Sequence, residues 1–217
     1  MITIPEVVEK IVKNSYFLEE GLTTNIINLS SLARKLRPEI EKEVFKKTSE
    51  GAIVMALKRL STKFKPMVSA VSIFKHKPEI ILRSNLIEFS ITNSQLLIEK
   101  HKRLFDLIRG SNSYFLTITQ GIFETGIIIS QECKNLVEKI FKEEKIVKIF
   151  NNLSAITIKL PEENVMAPGI YYFILKALAW EKINVIEVVS TYCEFTIILE
   201  DKDIDRAFSC LKKLLSK

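Results

Sequence analysis

Residues Ala167 to Ile170 spell Ala-Pro-Gly-Ile at the head of an apolar segment, and few other places in this chain of 217 residues offer chemistry of their own. A helix start exposes unpaired backbone amides and the positive end of the helix dipole, which receive a carboxylate well. Pro168 preorganises such a start, and Gly169 lets another molecule approach the backbone closely. Asn184, where the apolar segment gives way to a β-branched run, carries both a donor and an acceptor and can read an ammonium or a carboxylate. With their neighbours these residues make one candidate binding set: Met166, Ala167, Pro168, Gly169, Ile170, Asn184 and Val185. The plainer reading is a Pro-Gly helix start followed by a turn asparagine.

The remaining reactive residue types fall into no catalytic pattern. His76 and His101 lie in different segments without metal-ligand spacing, and are expected at the surface. Cys133, Cys193 and Cys210 form no CxxC pair and leave an odd count, which argues against a disulfide framework or a structural zinc site and fits a reducing cytosol. Cys193 beside Glu194 reads as a small apolar residue at a strand end. Glu162 and Glu163 have no evident acid-base partner and read as solvated. Six glycines in the whole chain give no Gly-rich phosphate loop. No catalytic residue, metal or cofactor is called for.

The elements that position the candidate set are legible in composition and periodicity. With 47% hydrophobic and 27% charged residues the chain can bury substantial cores without staples. The start MITIPEVVEK lacks the basic, apolar character of a signal peptide, and no apolar run reaches the length of a membrane span, so a cytoplasmic protein is expected. The net charge of +6 is uneven: +4 over residues 1–65, +3 over 66–150 and −1 over 151–217. That basic excess permits a nucleic-acid surface near the N-terminus, and suits plain solvated surface better.

Residues 1–65 read as helical. Pro5 suits a helix start, and Val8, Ile11 and Val12, followed less regularly by Phe17 and Leu18, keep helical spacing up to Gly21. A second helix begins near Asn28–Ser31 and is expected to break at Pro38, which starts a further one. Ser49 caps the last, whose Ile53, Ala56, Leu57 and Leu60 form a buried stripe. Lys58, Arg59 and Lys63 lie off that stripe and are the candidate nucleic-acid contacts. NLSSLARKL followed by SEGAIVMALKRLS resembles a helix-turn-helix or winged-helix domain, and equally a small helical dimerisation or docking domain.

The rest is one unit twice. A constant offset of 70 places Tyr114 on Asn184, Ile118 on Val188, Glu124 on Glu194 and Phe141 on Leu211, and upstream Leu104 on Ile174. NLIEFSI matches NLSAITI at an offset of 67, so the second copy has the longer strand-to-helix loop. Alternating Ile87, Phe89, Ile91 and Ile156, Ile158, Leu160 mark the first strands. Each copy reads strand, helix, strand, strand, helix, with helices on one face of an antiparallel sheet, an α+β arrangement of ferredoxin-like type. The first copy has Ile98 and Glu99 where the second has Pro168 and Gly169.

The second copy resembles an ACT domain, specifically the paired C-terminal regulatory units of aspartokinases, through NLSAITI, Ala167-Pro168-Gly169-Ile170, ALAWEKINV and EVVSTYCEFTIIL followed by DKDIDRAF. The likeness covers residues 148–217 well and about 79–150 less well. It implies two ACT units (66–150 and 151–217), an amino-acid effector at their interface, a strand-to-helix loop and an Asn184-like asparagine touching it, and a homodimer. With no KFGG-like phosphate-binding start and about 65 residues ahead of the two units, an aspartokinase catalytic domain is not expected. The expected function is a non-enzymatic, amino-acid-sensing regulator acting on the N-terminal domain, with DNA as its target, or a stand-alone partner of an amino-acid biosynthetic enzyme. The second copy ends without a closing strand, so EIILR, residues 79–83, is expected to supply one and intertwine the units.

Overall fold

A computed structural model describes residues 2–64, 74, 76–109 and 114–216. The chain divides into two compact units, Met1–Ser69 and Ala70–Lys217. The division at 65/66 drawn from the sequence lies outside the described residues.

The first unit is a bundle of four helices, α1 (Ile4–Lys13), α2 (Tyr16–Thr23), α3 (Leu29–Val44) and α4 (Glu50–Lys63). Each start is set locally. The Glu6 carboxylate accepts from the Thr3 amide and hydroxyl, both at 2.8 Å, and the side chains of Asn28 and Ser49 accept from the amides of Ser31 and Ala52. Two expectations are corrected. The first helical stretch is broken at Asn14–Ser15 into α1 and α2, which lets both lay apolar residues on one core and leaves Phe17 exposed. Pro38 lies inside α3 and does not end it. Proline removes one amide donor, and because Pro38 is exposed, water can serve the freed carbonyl one turn back. Val8, Val12, Leu22, Leu36, Ile40, Ile53 and Leu57 fill the bundle core.

The second unit holds one six-stranded antiparallel sheet in the order β2-β3-β1-β4-β6-β5, from β1 (Ile80–Thr92), β2 (Leu116–Gln120), β3 (Glu124–Ser130), β4 (Ile146–Lys159), β5 (Glu187–Ser190) and β6 (Glu194–Glu200). Helices α5 (Leu97–Ile108) and α6 (Lys134–Ile140) pack on the first half, α7 (Ile170–Trp180) and α8 (Ile204–Leu215) on the second. Residues 80–83 and NLIEFSI are parts of a single long strand, β1, and residues 146–150 and NLSAITI of another, β4, which runs through the expected 150/151 division. The two long strands pair along their length, Ile80 with Ile158, Leu82 with Ile156, Leu86 with Leu153 and Phe89 with Ile149. Residues 80–83 thus lie beside the second copy's strand.

Two bulges make this arrangement consistent with burial. Ile80 and Ile87 both face helices although their spacing in sequence is odd, and an unbroken strand would turn them to opposite faces. The register shifts between Arg83 and Leu86, where Asn85 takes a left-handed φ of 60°, and again between Leu86 and Glu88, opposite Asn152 with φ 55°. Each bulge absorbs one residue and restores the side-chain phase. The helix-free face curls on itself, so that Leu86, Ile128, Leu153, Ala155 and Ile198 from both halves form one cluster.

Candidate functional site

The sequence-predicted loop is built around Asn164. Residues Glu162–Met166 wind as a 3-10 turn after Pro161. Asn164, 4% exposed, donates through Nδ2 to the carbonyls of Pro161 (2.9 Å) and Tyr192 (2.7 Å), and its own carbonyl accepts from the Ala167 amide. The Tyr192 hydroxyl donates to the Glu162 carbonyl. The β5–β6 hairpin therefore clamps the loop from above. Gly169 follows at the head of α7 with φ 87° and ψ 6°, a conformation that costs a residue with a Cβ about 1–2 kcal/mol. Glycine adopts this backbone without that cost, and with no side chain it leaves the first turn of α7 without a side-chain cap.

The result is a cavity of about 620 Å3 lined by the continuous run Asn164 to Tyr172. Met166, 84% exposed, and Val165 form an apolar rim. Tyr171 stacks on Phe195, ring centroids 4.6 Å apart, and its hydroxyl lies 2.9 Å from Ser190 Oγ, which fixes one wall. Tyr172 carries Lys176 Nζ 5.4 Å above its ring. Amides at an uncapped helix start suit a carboxylate, and the rim suits a small apolar group.

Met166, Ala167, Pro168, Gly169 and Ile170 thus come together. Asn184 and Val185 do not line the cavity. They follow the far end of α7, and eleven helical residues span ~16 Å at 1.5 Å each, so one small molecule held by the first turn does not reach Asn184 of the same chain. Val185 packs against the core beneath the helices. Asn164, Tyr171 and Tyr172 were missed, although the tyrosine doublet directly after Gly169-Ile170 was a signal in plain view.

The first copy lacks this geometry. Ile98 and Glu99 lie already inside α5, which starts after Leu96 in ordinary helical backbone. Asn93 fills the corner instead: its amide donates to the Phe123 carbonyl, Nδ2 to the Gly121 carbonyl, and Oδ1 accepts from the Thr125 hydroxyl. Tyr114, aligned with Asn184, stands before β2.

Elsewhere, His76 is exposed, whereas His101 is half-buried against Phe141, with Nε2 buried and unpartnered and its basicity lowered by that burial, which corrects the expected surface position. Among the described residues no three His, Cys, Asp or Glu side chains gather as a metal would require. Burial pushes the Cys133 and Cys210 thiols up, away from the reactive thiolate. Glu162 and Glu163 are exposed beside the cavity. Lys58, Arg59 and Lys63 lie exposed on α4 beside Gly51, Met55 and Thr62, and no ion pair involves Lys58 or Arg59 among the described residues. No described helix is long and apolar enough to cross a membrane.

The sheet order and paired helices of the second unit give it the fold of the ACT-type regulatory domains of aspartokinases. The aspartate kinase of Clostridium acetobutylicum, an allosteric enzyme, aligns at TM-score 0.52 and 14% identity over 63% of this chain and 34% of that one. A structure of aspartokinase alpha and beta subunits aligns at 0.52 and 12% over 64% and 97%, and the ligand-free regulatory subunit of aspartate kinase from Thermus thermophilus at 0.51 and 8% over 64% and 99%. The chain therefore spans about a third of the Clostridium enzyme and nearly all of the separate regulatory subunit. No protein family and no curated protein matches it by sequence.

Proposed function

We propose that this protein is a non-enzymatic, amino-acid-sensing regulator, in which an effector carboxylate sits at the uncapped start of α7 and its side chain rests on the Val165–Met166 rim. The observation that carries the reading is the clamped loop: Asn164 and Tyr192 hold a cavity of about 620 Å3 against a glycine-headed helix in the second copy, and Asn93 occupies the equivalent corner in the first. The fold shared with aspartokinase regulatory subunits supports it. In this reading the protein is a homodimer, and Asn184 joins the site only when a second copy supplies it.

The N-terminal bundle is the output. Its exposed α4 stripe, with Lys58, Arg59 and Lys63, is proposed to meet DNA phosphates. A second reading, a partner of an amino-acid biosynthetic enzyme such as aspartokinase without DNA binding, is favoured by likeness to a regulatory subunit that is a chain of its own.

A thermal-shift screen over the common amino acids tests the sensor: a ligand at a hundred times its Kd stabilises the native state by about 2.7 kcal/mol. At about 2–4 °C per kcal/mol the melting point should rise by roughly 5 °C or more. Gly169→Val should abolish that rise. No response to any amino acid would reject the sensor. DNA affinity that falls steeply between two salt concentrations, and falls further in Lys58→Ala/Arg59→Ala, supports the first output, and salt-insensitive or absent binding supports the second.

A further inference from the structure

On the helix-free side of the sheet, two glutamates from opposite halves meet in an apolar layer. Glu88 on β1, 6% exposed, pairs in register with Ile128 of β3 and Phe150 of β4. Glu187, half-buried at the start of β5, pairs with Ile198. Three strands separate β5 from β3 in the sheet, yet Gly126 of β3 touches Glu187: a Cβ on Gly126 would stand 3.2 Å from Oε2. The missing side chain makes room for a carboxyl. The two carboxyls lie within hydrogen-bonding reach of each other, Thr119 of β2 stands in register with Gly126, and Glu88 Oε2 has no partner. Their in-register neighbours Ile128 and Ile198 belong to one apolar cluster with Leu86, Leu153 and Ala155.

Charge compensation is missing. On the strands packed around the pair, the other charged groups on this side are Arg83 of β1, exposed and in register with Ala155, Glu124 of β3, bonded by the Ser90 hydroxyl, Lys148 of β4, seated over the Phe150 ring, Lys159 of β4 and Glu194 of β6, exposed and in register with each other, and Glu200 of β6, paired with Lys202. No cation is within ion-pair distance of Glu88 or Glu187 among the described residues. Two ionised carboxylates are acceptors only and cannot bond each other, so the contact requires one shared proton. We propose that Glu88 and Glu187 form a one-proton latch that fastens the two halves of the sheet face to face, closed while the proton is shared and strained open when both groups ionise.

The direction of the response follows. Burial, then the negative neighbour, lifts Glu88 to about 7, and burial lifts Glu187 as well. The unfolded chain gives up both protons near the ordinary carboxylate value of about 4.3, so between that pH and about 7 the native state holds the extra proton and stability falls as pH rises, levelling above. The effect is focused on β5, an edge strand of four residues. Its last residue, Ser190, meets Tyr171 at the cavity wall, so the latch and the cavity share one short strand whatever fills the cavity.

The test is a pH titration of the full chain with 13C-labelled glutamate side chains. A latch shows one glutamate titrating near neutral pH, and this resonance changes or disappears in Glu88→Gln and in Glu187→Gln. The wild-type titration needs no variant to fold: if every glutamate completes its titration below pH 5.5, the latch is overturned. Melting of the full chain from pH 5 to 8 gives a second readout. The wild type should lose several degrees across that range and Glu187→Gln should lose less, whereas identical slopes in both would overturn the proposal.

Discussion

Asn85 and Asn152 occupy matching places in the two long strands, and both adopt left-handed backbone, φ 60° and 55°. Asparagine tolerates this conformation, whereas alanine is penalised by about 1 kcal/mol or more. Asn85→Ala and Asn152→Ala should each lower the melting point by about 2–4 °C, and the corresponding glycine variants should differ from wild type by less than half of that. Urea and thermal unfolding measure both. Equal effects of alanine and glycine would show that the asparagine side chains, and not the backbone, are what matters there.

The pairing of Ile80 with Ile158 sets a second expectation. Residues 84–217 alone lack the strand segment that covers Ala155–Ile158, and Ile80 no longer reaches the α7–α8 core. An apolar edge is then bare and open to pairing with other chains. This fragment should be aggregated or melt without cooperativity. A monodisperse fragment with a sharp melting transition would show that residues 80–83 are dispensable.

Lys100 and Glu144 form the best-shielded ion pair among those described, 2.7 Å apart with side chains 14% and 7% exposed. The hydrogen bond from Lys100 holds Glu144 below the ordinary carboxylate range, against the opposing effect of burial. A depressed carboxylate contributes stability above its unfolded value and loses it as pH falls through the folded one. Lys100→Met should cost about 2 kcal/mol at pH 7, and the penalty should shrink at the acid end of a melting series. This acid-side loss has the opposite sign to the response expected from Glu88 and Glu187, so the two are separable by pH alone.

Asn164→Ala removes two donor contacts that hold the loop to Pro161 and Tyr192. We expect a global cost of about 1–3 kcal/mol, faster proteolysis between residues 161 and 169, and loss of any amino-acid-induced melting shift. Asn184→Ala should leave that shift unchanged in a single-chain site. A reduced shift in Asn184→Ala would locate the ligand between two copies.

Repetition and periodicity carried most of this fold in the sequence. The offsets of 70 and 67, the stripe Ile53, Ala56, Leu57, Leu60 and the alternation Ile156, Ile158, Leu160 report which side of each element is buried, because burial selects apolar residues at the local period. The Ala167–Ile170 start was legible for the same local reason. What only the tertiary structure decided depends on partners distant in sequence. Pro38 stays inside α3 because its surroundings there are solvent, Asn184 is excluded from the cavity by the length of α7, and the odd spacing of Ile80 and Ile87 is reconciled by a bulge that a propensity scale cannot see. Glu88 read as one polar residue in an alternating strand. Its burial against Glu187 exists only because the sheet curls until β3 meets β5, and no local pattern encodes a contact across three intervening strands.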